Sequence, residues 1–126
     1  MPNCSVLVVD DDELILRLVH EALSEEGFAV TTAAGALEAA RALARSPVEL
    51  VLLDIHMPGL DGRQFAEDLR ARHISSKIVV MTGGPNAQRL AREISADGYL
   101  EKPFDIANLV TVVQGLCGDG AALRQI

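Results

Sequence analysis

Polar side chains directly follow four apolar runs of this 126-residue chain. Carboxylates follow two of these runs, a hydroxyl follows a third and an ammonium follows a fourth: Asp10, Asp11, Asp12, Asp54, Thr82 and Lys102. Two like charges 4 Å apart repel by about 4 kcal/mol at an effective dielectric constant near 20. Acids gathered at one place would therefore have to share protons or surround a cation. Because the candidate ligands are all oxygens, we expect a hard cation, and Mg²⁺ fits best.

The carboxylate of Asp54 is the expected centre of this chemistry. A divalent ion, an ammonium and a hydroxyl around one carboxylate form a site suited to phosphoryl transfer onto that carboxylate. Lys102 would supply a positive charge for an anionic oxygen, and Thr82 would supply a hydrogen-bond donor. Met57-Pro58-Gly59 predicts a turn that leads the chain away and leaves Asp54 at the mouth of a loop.

The elements that must position these groups can be read from hydrophobic periodicity. Strands are predicted at five short runs: Ser5–Val9, Phe28–Thr32, Leu50–Leu53, Lys77–Met81 and Gly98–Leu100. Longer stretches with helical spacing alternate with them. This alternation predicts an α/β fold, a doubly wound parallel sheet of five strands flanked by five helices. Runs that are apolar at every position, such as VLVV and LVLL, favour strands covered on both faces. Ligands collect at the carboxyl ends of such strands.

Apolar stripes define the expected helices and core. The stripes are Leu14, Ile15, Leu18, Val19, Ala22 and Leu23; Leu37, Ala40, Leu43 and Ala44; Phe65, Leu69 and Ile74; Leu90 and Ile94; and Ile106, Leu109, Val110 and Val113. We expect them, with Met57 and Met81, to form the core. Gly27 is a helix-ending signal, and Asp12 is predicted to cap the first helix. His20 and His73 are expected on helix surfaces.

Composition predicts one globular domain over residues 1–126, with a core of about residues 4–117 and a tail or linker start at 118–126. The net charge of −7 argues against binding of nucleic acid or of an anionic membrane surface. No apolar stretch approaches the ~18 residues of a membrane span, and the first residues lack a secretory signal. Cys4 and Cys117 show no pairing pattern, so we expect reduced packing residues in a cytoplasmic protein.

Four motifs in order, VLVVDDD, LLDIHMPGLDG, VVMTGG and GYLEKPF, closely resemble the receiver domain of bacterial two-component response regulators. The resemblance covers about residues 4–117 and implies the flavodoxin-like strand order 2-1-3-4-5. It implies that Asp54 accepts phosphoryl from a sensor histidine kinase or phosphotransfer protein. It also implies a Mg²⁺ site made by Asp10, Asp11, Asp54 and the backbone carbonyl of His56.

The same resemblance implies a switch. Lys102, the Thr82 hydroxyl and the Gly83 amide would bind phosphoryl oxygens, and Tyr99 would turn from an outward to an inward rotamer. Such a change would alter the surface of the fourth helix, fifth strand and fifth helix, which an output domain or downstream protein would read. A phosphorylation-dependent dimer is also compatible with the family. The family further implies a cis bond before Pro103 and tuning of phosphoryl lifetime by His56 and Gly84.

Other interpretations stay open at this stage. Asp10-x-Asp12 resembles the nucleophile motif of haloacid-dehalogenase phosphatases, although that reading leaves Asp54 without a role. A receiver fold that no longer takes phosphoryl would be a pure interaction module. Tyr99 could be an ordinary half-buried strand tyrosine. Nucleotide enzymes are excluded more firmly, because neither GxGxxG nor GxxxxGK[ST] occurs. The cognate kinase and the output cannot be read from these residues.

Overall fold

The computed structural model describes residues 4–57, 61–72 and 74–117. Within them, strands and helices alternate along the chain: β1 Ser5–Val9, α1 Glu13–Glu25, β2 Ala29–Ala33, α2 Ala36–Arg45, β3 Leu50–Asp54, α3 Gly62–Ala71, β4 Lys77–Thr82, α4 Ala87–Glu93, β5 Gly98–Glu101 and α5 Ile106–Cys117. All strand pairs are parallel, in the order β2-β1-β3-β4-β5. The predicted fold and strand order are confirmed. The predicted turn at Pro58-Gly59, the surface position of His73 and the tail at 118–126 lie outside the described residues.

The central strands are covered on both faces, as their uninterrupted apolar runs predict. Successive side chains of a strand point to opposite faces. On β1, Val6 and Val8 face a cluster formed with α1 and α5, whereas Leu7 and Val9 face a cluster formed with α2, α3 and α4. All four side chains are fully buried. The sheet is therefore the middle layer of a three-layer domain.

Several leucines predicted for the core are exposed instead. Leu14 and Leu18 of α1 are 69% and 43% exposed, whereas the buried side of that helix is Leu16, Val19 and Leu23. At about 100° per residue, Leu14 and Leu18 lie on the opposite side from that line. An apolar stripe that runs nearly all round a helix does not identify its buried face.

The same correction applies at two other helix starts. Leu37 of α2 is 64% exposed because it lies across the helix from the buried Ala39 and Leu43. Ile106 is the first residue of α5 and is 38% exposed. Within the described ranges, no helix combines the length and the apolar character needed to cross a bilayer.

Local end signals behave as predicted. The Asp12 side chain accepts a hydrogen bond from the Leu14 amide and caps α1. Gly27, with a φ of 94°, follows the end of the same helix. The Lys102–Pro103 peptide bond is cis, as the family resemblance implies. Met57 and Met81 are buried and His20 is exposed, as expected.

The two cysteines form a disulfide, so the prediction of reduced cysteines is wrong. Cys4 precedes β1 and Cys117 ends α5, and their Cα atoms lie 5.8 Å apart. The cysteines are 113 residues apart in sequence, and no spacing pattern suggests a pair. Helices that connect parallel strands run back across the sheet, which brings the end of α5 to the start of β1. We call the side of the sheet where the strands begin the amino edge, and the opposite side the carboxyl edge.

Candidate functional site

Polar groups gather at the carboxyl edge. Asp10 follows β1, Asp54 ends β3, Thr82 ends β4 and Lys102 follows β5. Asp10 and Thr82 are fully buried and Asp54 is 4% exposed, and these are the buried polar or charged residues within the described ranges. Side chains of this kind are rarely buried without a specific partner. The edge therefore holds a built polar site.

Three carboxylates meet at this site. Oxygens of Asp10, Asp11 and Asp54 all lie within 4.8 Å of one another. Asp10 and Asp54 are buried, whereas Asp11 is exposed and reaches the group from the solvent side. The donor set is entirely carboxylate oxygen, which suits a hard divalent cation that keeps part of its water shell. The residues present thus fit a metal ion.

Lys102 bridges two of the acids. Its Nζ donates to Asp10 Oδ2 at 2.7 Å and to Asp54 Oδ2 at 3.3 Å. The lysine side chain is 22% exposed, whereas those of Asp10 and Asp54 are 0% and 6% exposed. The three residues lie at the carboxyl ends of β1, β3 and β5 and are up to 92 positions apart in sequence, so only the folded sheet assembles them.

Main-chain amides orient both buried acids in the same way. The Asp12 amide donates to Asp10 Oδ1 at 2.9 Å, and the His56 amide donates to Asp54 Oδ1 at 3.0 Å. In each case an aspartate at the end of a strand accepts from the amide two residues later, a turn that aspartate favours. Each acid thereby keeps its Oδ2 for Lys102. Both buried acids thus have one oxygen held by the main chain and the other by the ammonium.

Burial and neighbouring charges shift the pKa values of Asp54 and Lys102. Burial raises the pKa of Asp54, and the charge of Asp10 raises it further, against the lowering effects of the His56 amide and Lys102. For Lys102, burial lowers the pKa, but the hydrogen bond to Asp10 and the charges of both acids outweigh it, so its pKa is raised. The charged form of Asp54 is therefore disfavoured in the folded protein, whereas the neighbouring lysine stays cationic.

Thr82 contacts His56 in an arrangement that the motifs do not reveal. The Thr82 Oγ1 lies 2.6 Å from His56 Nε2 and accepts from the Gly84 amide at 3.3 Å. Within the described part of the chain, these are the hydrogen-bond partners of that hydroxyl, and neither is Asp54. Tyr99 is 39% exposed on β5, and its inward turn stays a prediction. No signal in the sequence predicts that the His56 ring contacts the Thr82 hydroxyl, 26 positions away.

Asp12 does not join the site as the phosphatase reading requires. Its side chain is exposed and its Oδ1 accepts from Leu14 at the start of α1. The acids that the structure brings together are Asp10, Asp11 and Asp54. The Asp10-x-Asp12 pattern therefore combines a site residue with a helix cap.

Comparisons with known proteins identify the family of this chain. The sequence model of the response regulator receiver domain matches residues 6–114. The transcriptional regulatory protein AruR of Pseudomonas aeruginosa is 39% identical over 117 residues, which cover 88% of this chain and 48% of AruR. The chain thus spans about half the length of that relative.

Solved structures show the same fold. The receiver domain of NtrX from Brucella abortus superposes with a TM-score of 0.82 at 32% identity, covering 90% of this chain and 98% of the NtrX domain. The chemotaxis protein CheY4 of Vibrio cholerae superposes with a TM-score of 0.83 at 27% identity, covering 91% of this chain and 99% of CheY4. The match in sequence and fold shows that the chain belongs to the receiver domain family of two-component response regulators.

Proposed function

We propose that this receiver domain takes a phosphoryl group onto Asp54 from a phosphohistidine of a sensor histidine kinase or phosphotransfer protein. The observation that carries the proposal is Lys102 Nζ, which lies within 3.3 Å of both Asp10 and Asp54 beside a third carboxylate. A lysine in that place can hold an anionic oxygen next to Asp54. In the step, a carboxylate oxygen of Asp54 bonds to phosphorus as the phosphorus–nitrogen bond breaks, and the imidazole leaves.

Each group at the edge has a part in this proposal. Asp10, Asp11, Asp54 and the backbone carbonyl of His56 would hold Mg²⁺, which supplies positive charge against the phosphoryl oxygens. Lys102 supplies a second positive charge, and its hydrogen bonds to Asp10 and Asp54 keep it at the acceptor. The Thr82 hydroxyl and the Gly83 amide bind the remaining oxygens. The same site would slowly return the phosphoryl group to water, which makes the domain a switch rather than an enzyme with a separate substrate.

The output of the switch would be a changed surface over α4, β5 and α5, with Tyr99 turning inward as Thr82 moves. A phosphoryl group adds about −1.5 to −2 charge and three acceptor oxygens, and two or three charge-assisted hydrogen bonds are strong enough to shift a two-state equilibrium. The partner that reads this surface is an output domain or a separate protein. AruR is named a transcriptional regulatory protein, and gene control is one such output. The kinase partner implies a cytoplasmic setting, and a phosphorylation-dependent dimer belongs to the same proposal.

The test is incubation with acetyl phosphate and Mg²⁺, followed by intact mass measurement. We expect one phosphoryl group per chain, labile to acid and base, and none on the Asp54→Ala variant. Asp12→Asn is the matched control, because asparagine keeps the helix cap while removing the second acid of the phosphatase motif.

The outcomes separate the alternatives. Loss of phosphorylation in Asp12→Asn with many turnovers in the wild type would indicate a phosphatase. A wild-type chain that gains no phosphoryl group under these conditions would be an interaction module, and the proposal would be wrong.

A further inference from the structure

The bond between His56 and Thr82 suggests a role that the phosphoryl chemistry does not assign. The Thr82 side chain is fully buried, and its Oγ1 lies 2.6 Å from His56 Nε2. This is a short contact for a nitrogen and a hydroxyl oxygen. His56 itself is exposed at the surface. A solvent-facing side chain thus holds the hydroxyl of a buried switch residue.

We propose that His56 is a positioning residue that holds Thr82 away from Asp54 in the unphosphorylated protein. The inference rests on the proposed function, in which Thr82 donates to a phosphoryl oxygen. A hydroxyl has one proton and accepts at its lone pairs. In the tautomer whose Nε2 carries no proton, the hydroxyl donates to Nε2 while it accepts from the Gly84 amide. The imidazole then competes with the phosphoryl group for the same donor.

The main chain makes this competition specific. The His56 amide donates to Asp54 Oδ1, which ties the backbone of His56 to the acceptor while its ring reaches Thr82. Asp54 is in register with Met81 on β4, so Thr82 lies one residue beyond the acceptor's partner. Gly84 contributes its amide but no side chain to this contact, and a Cβ there would come within 4 Å only of Thr82 Oγ1, at 3.9 Å. When Thr82 turns toward Asp54, the side-chain contact that its hydroxyl gives up is the one to His56.

The contact also connects the switch to a neighbouring surface. His56 lines a cavity of about 560 Å³ together with Ile55, Gly62, Arg63, Leu90 and Ile94, among others. This cavity lies between the start of α3 and the helix α4. Release of Thr82 would free the His56 ring beside α4, which is the helix whose surface the proposed switch changes. The contact between His56 and Thr82, which we call the latch, thus lies between Asp54 and the helix α4.

The test measures binding of beryllofluoride, an analogue of the phosphoryl group on a carboxylate, in the presence of Mg²⁺. We expect His56→Ala to bind it about three- to tenfold more tightly than wild type, because one neutral hydrogen bond no longer competes. His56→Gln can bond the hydroxyl again and should bind close to wild type. His20→Ala is the control, since it removes an exposed histidine from α1 without touching the site.

A second background separates the latch from a merely structural effect. Thr82→Val removes the hydroxyl, so His56→Ala should leave beryllofluoride affinity unchanged when combined with it. The metal-free protein gives a readout independent of ligand. There the Thr82 methyl and Gly84 amide resonances should shift in His56→Ala and return toward wild type in His56→Gln.

The outcomes distinguish the two proposals. If wild type binds beryllofluoride and His56→Ala binds equally or more weakly, the latch is overturned and the phosphoacceptor function stands. An equal gain from His56→Ala in the wild-type and Thr82→Val backgrounds would likewise overturn it, because the effect would not pass through the hydroxyl. If wild type and Asp54→Ala alike fail to bind, the proposed function fails and the latch falls with it.

Discussion

The two edges of the sheet are held in opposite ways. At the amino edge, the contacts include main-chain hydrogen bonds and a disulfide: the Glu49 amide donates to Ser5, the Ser76 hydroxyl donates to the Val48 carbonyl, and Cys4 is bonded to Cys117. At the carboxyl edge, two buried carboxylates share one ammonium. The contacts just named at the amino edge join no like charges. The carboxyl edge brings the like charges of Asp10 and Asp54 together, which costs stability. Such a cost is tolerated where function requires it.

The chain's two lysines show the difference directly. Lys77 at the amino edge donates to the backbone carbonyl of Leu116 near the end of α5, at 3.0 Å. A cation is favourable at that end of a helix. Lys102 at the carboxyl edge pairs with Asp10 and Asp54 instead. One edge of the sheet thus places its lysine on a main-chain carbonyl, whereas the other places its lysine between two buried acids.

The largest expected effect is the loss of the disulfide at the amino edge. Closing a loop of more than a hundred residues stabilises a domain by about 5 kcal/mol in the chain-entropy model. We therefore expect a reductant to lower the free energy of unfolding by about that amount, measured by urea denaturation. Beryllofluoride binding at the carboxyl edge should persist in the reduced, folded protein.

The control for this prediction is the double variant Cys4→Ser, Cys117→Ser. It should match the reduced wild type and should not respond to reductant. Two free thiols titrated in the unreduced protein would contradict the prediction and would also restore the expectation drawn from the sequence.

The next largest effect concerns the two lysines. Lys102→Met leaves Asp10 and Asp54 buried without their cation, and we expect a loss of about 3 kcal/mol in the free energy of unfolding at neutral pH. Lys77→Met, at the other edge, removes the bond to the Leu116 carbonyl but leaves Asp10 and Asp54 paired with Lys102, so it should cost less, about 1 kcal/mol.

A double variant sharpens this result. In the Asp54→Asn background, Lys102→Met should cost less than in the wild type, because fewer uncompensated charges remain. Equal losses for the two lysine variants in urea denaturation would remove the contrast between the edges.

Hydrophobic pattern and strand-end chemistry were enough to predict much of this molecule. The parallel sheet, the gathering of Asp10, Asp54, Thr82 and Lys102 at one edge, and the Asp12 cap all follow from local signals. Parallel strands place their carboxyl ends together, so a polar residue at the end of a strand is predicted to lie at that edge of the sheet. The sequence is therefore enough to assign these groups to one site.

Other features depend on packing geometry that no local signal carries. Leu14 and Leu37 look like core residues, but the side of each helix that faces the sheet is set by its neighbours. The Cys4–Cys117 disulfide depends on where α5 ends relative to β1. The contact between His56 and Thr82 depends on a side-chain direction at the end of two strands.

The smallest expected effect tests the cost of the acceptor itself. The pKa of Asp54 is raised above its ordinary value of 3.8, chiefly by burial. A carboxyl group with a raised folded-state pKa contributes its stability at pH values below 3.8, where it is neutral, and loses it as pH rises through the folded pKa. At pH 7 the charged form thus opposes folding.

Asp54→Asn should therefore stabilise the domain by about 1 kcal/mol at pH 7, as removal of functional-site strain often does. The gain should shrink as pH falls toward 3.8, because Asp54 becomes neutral in the folded state. The control Glu67→Gln, an exposed acid on α3, should change stability by less than about 0.5 kcal/mol. Urea denaturation across this pH range measures both variants. An Asp54→Asn protein no more stable than wild type at pH 7 would show that the hydrogen bonds from Lys102 and the His56 amide fully offset the burial of the acid. The carboxyl edge would then cost the domain no stability, and the contrast between the two edges would be lost.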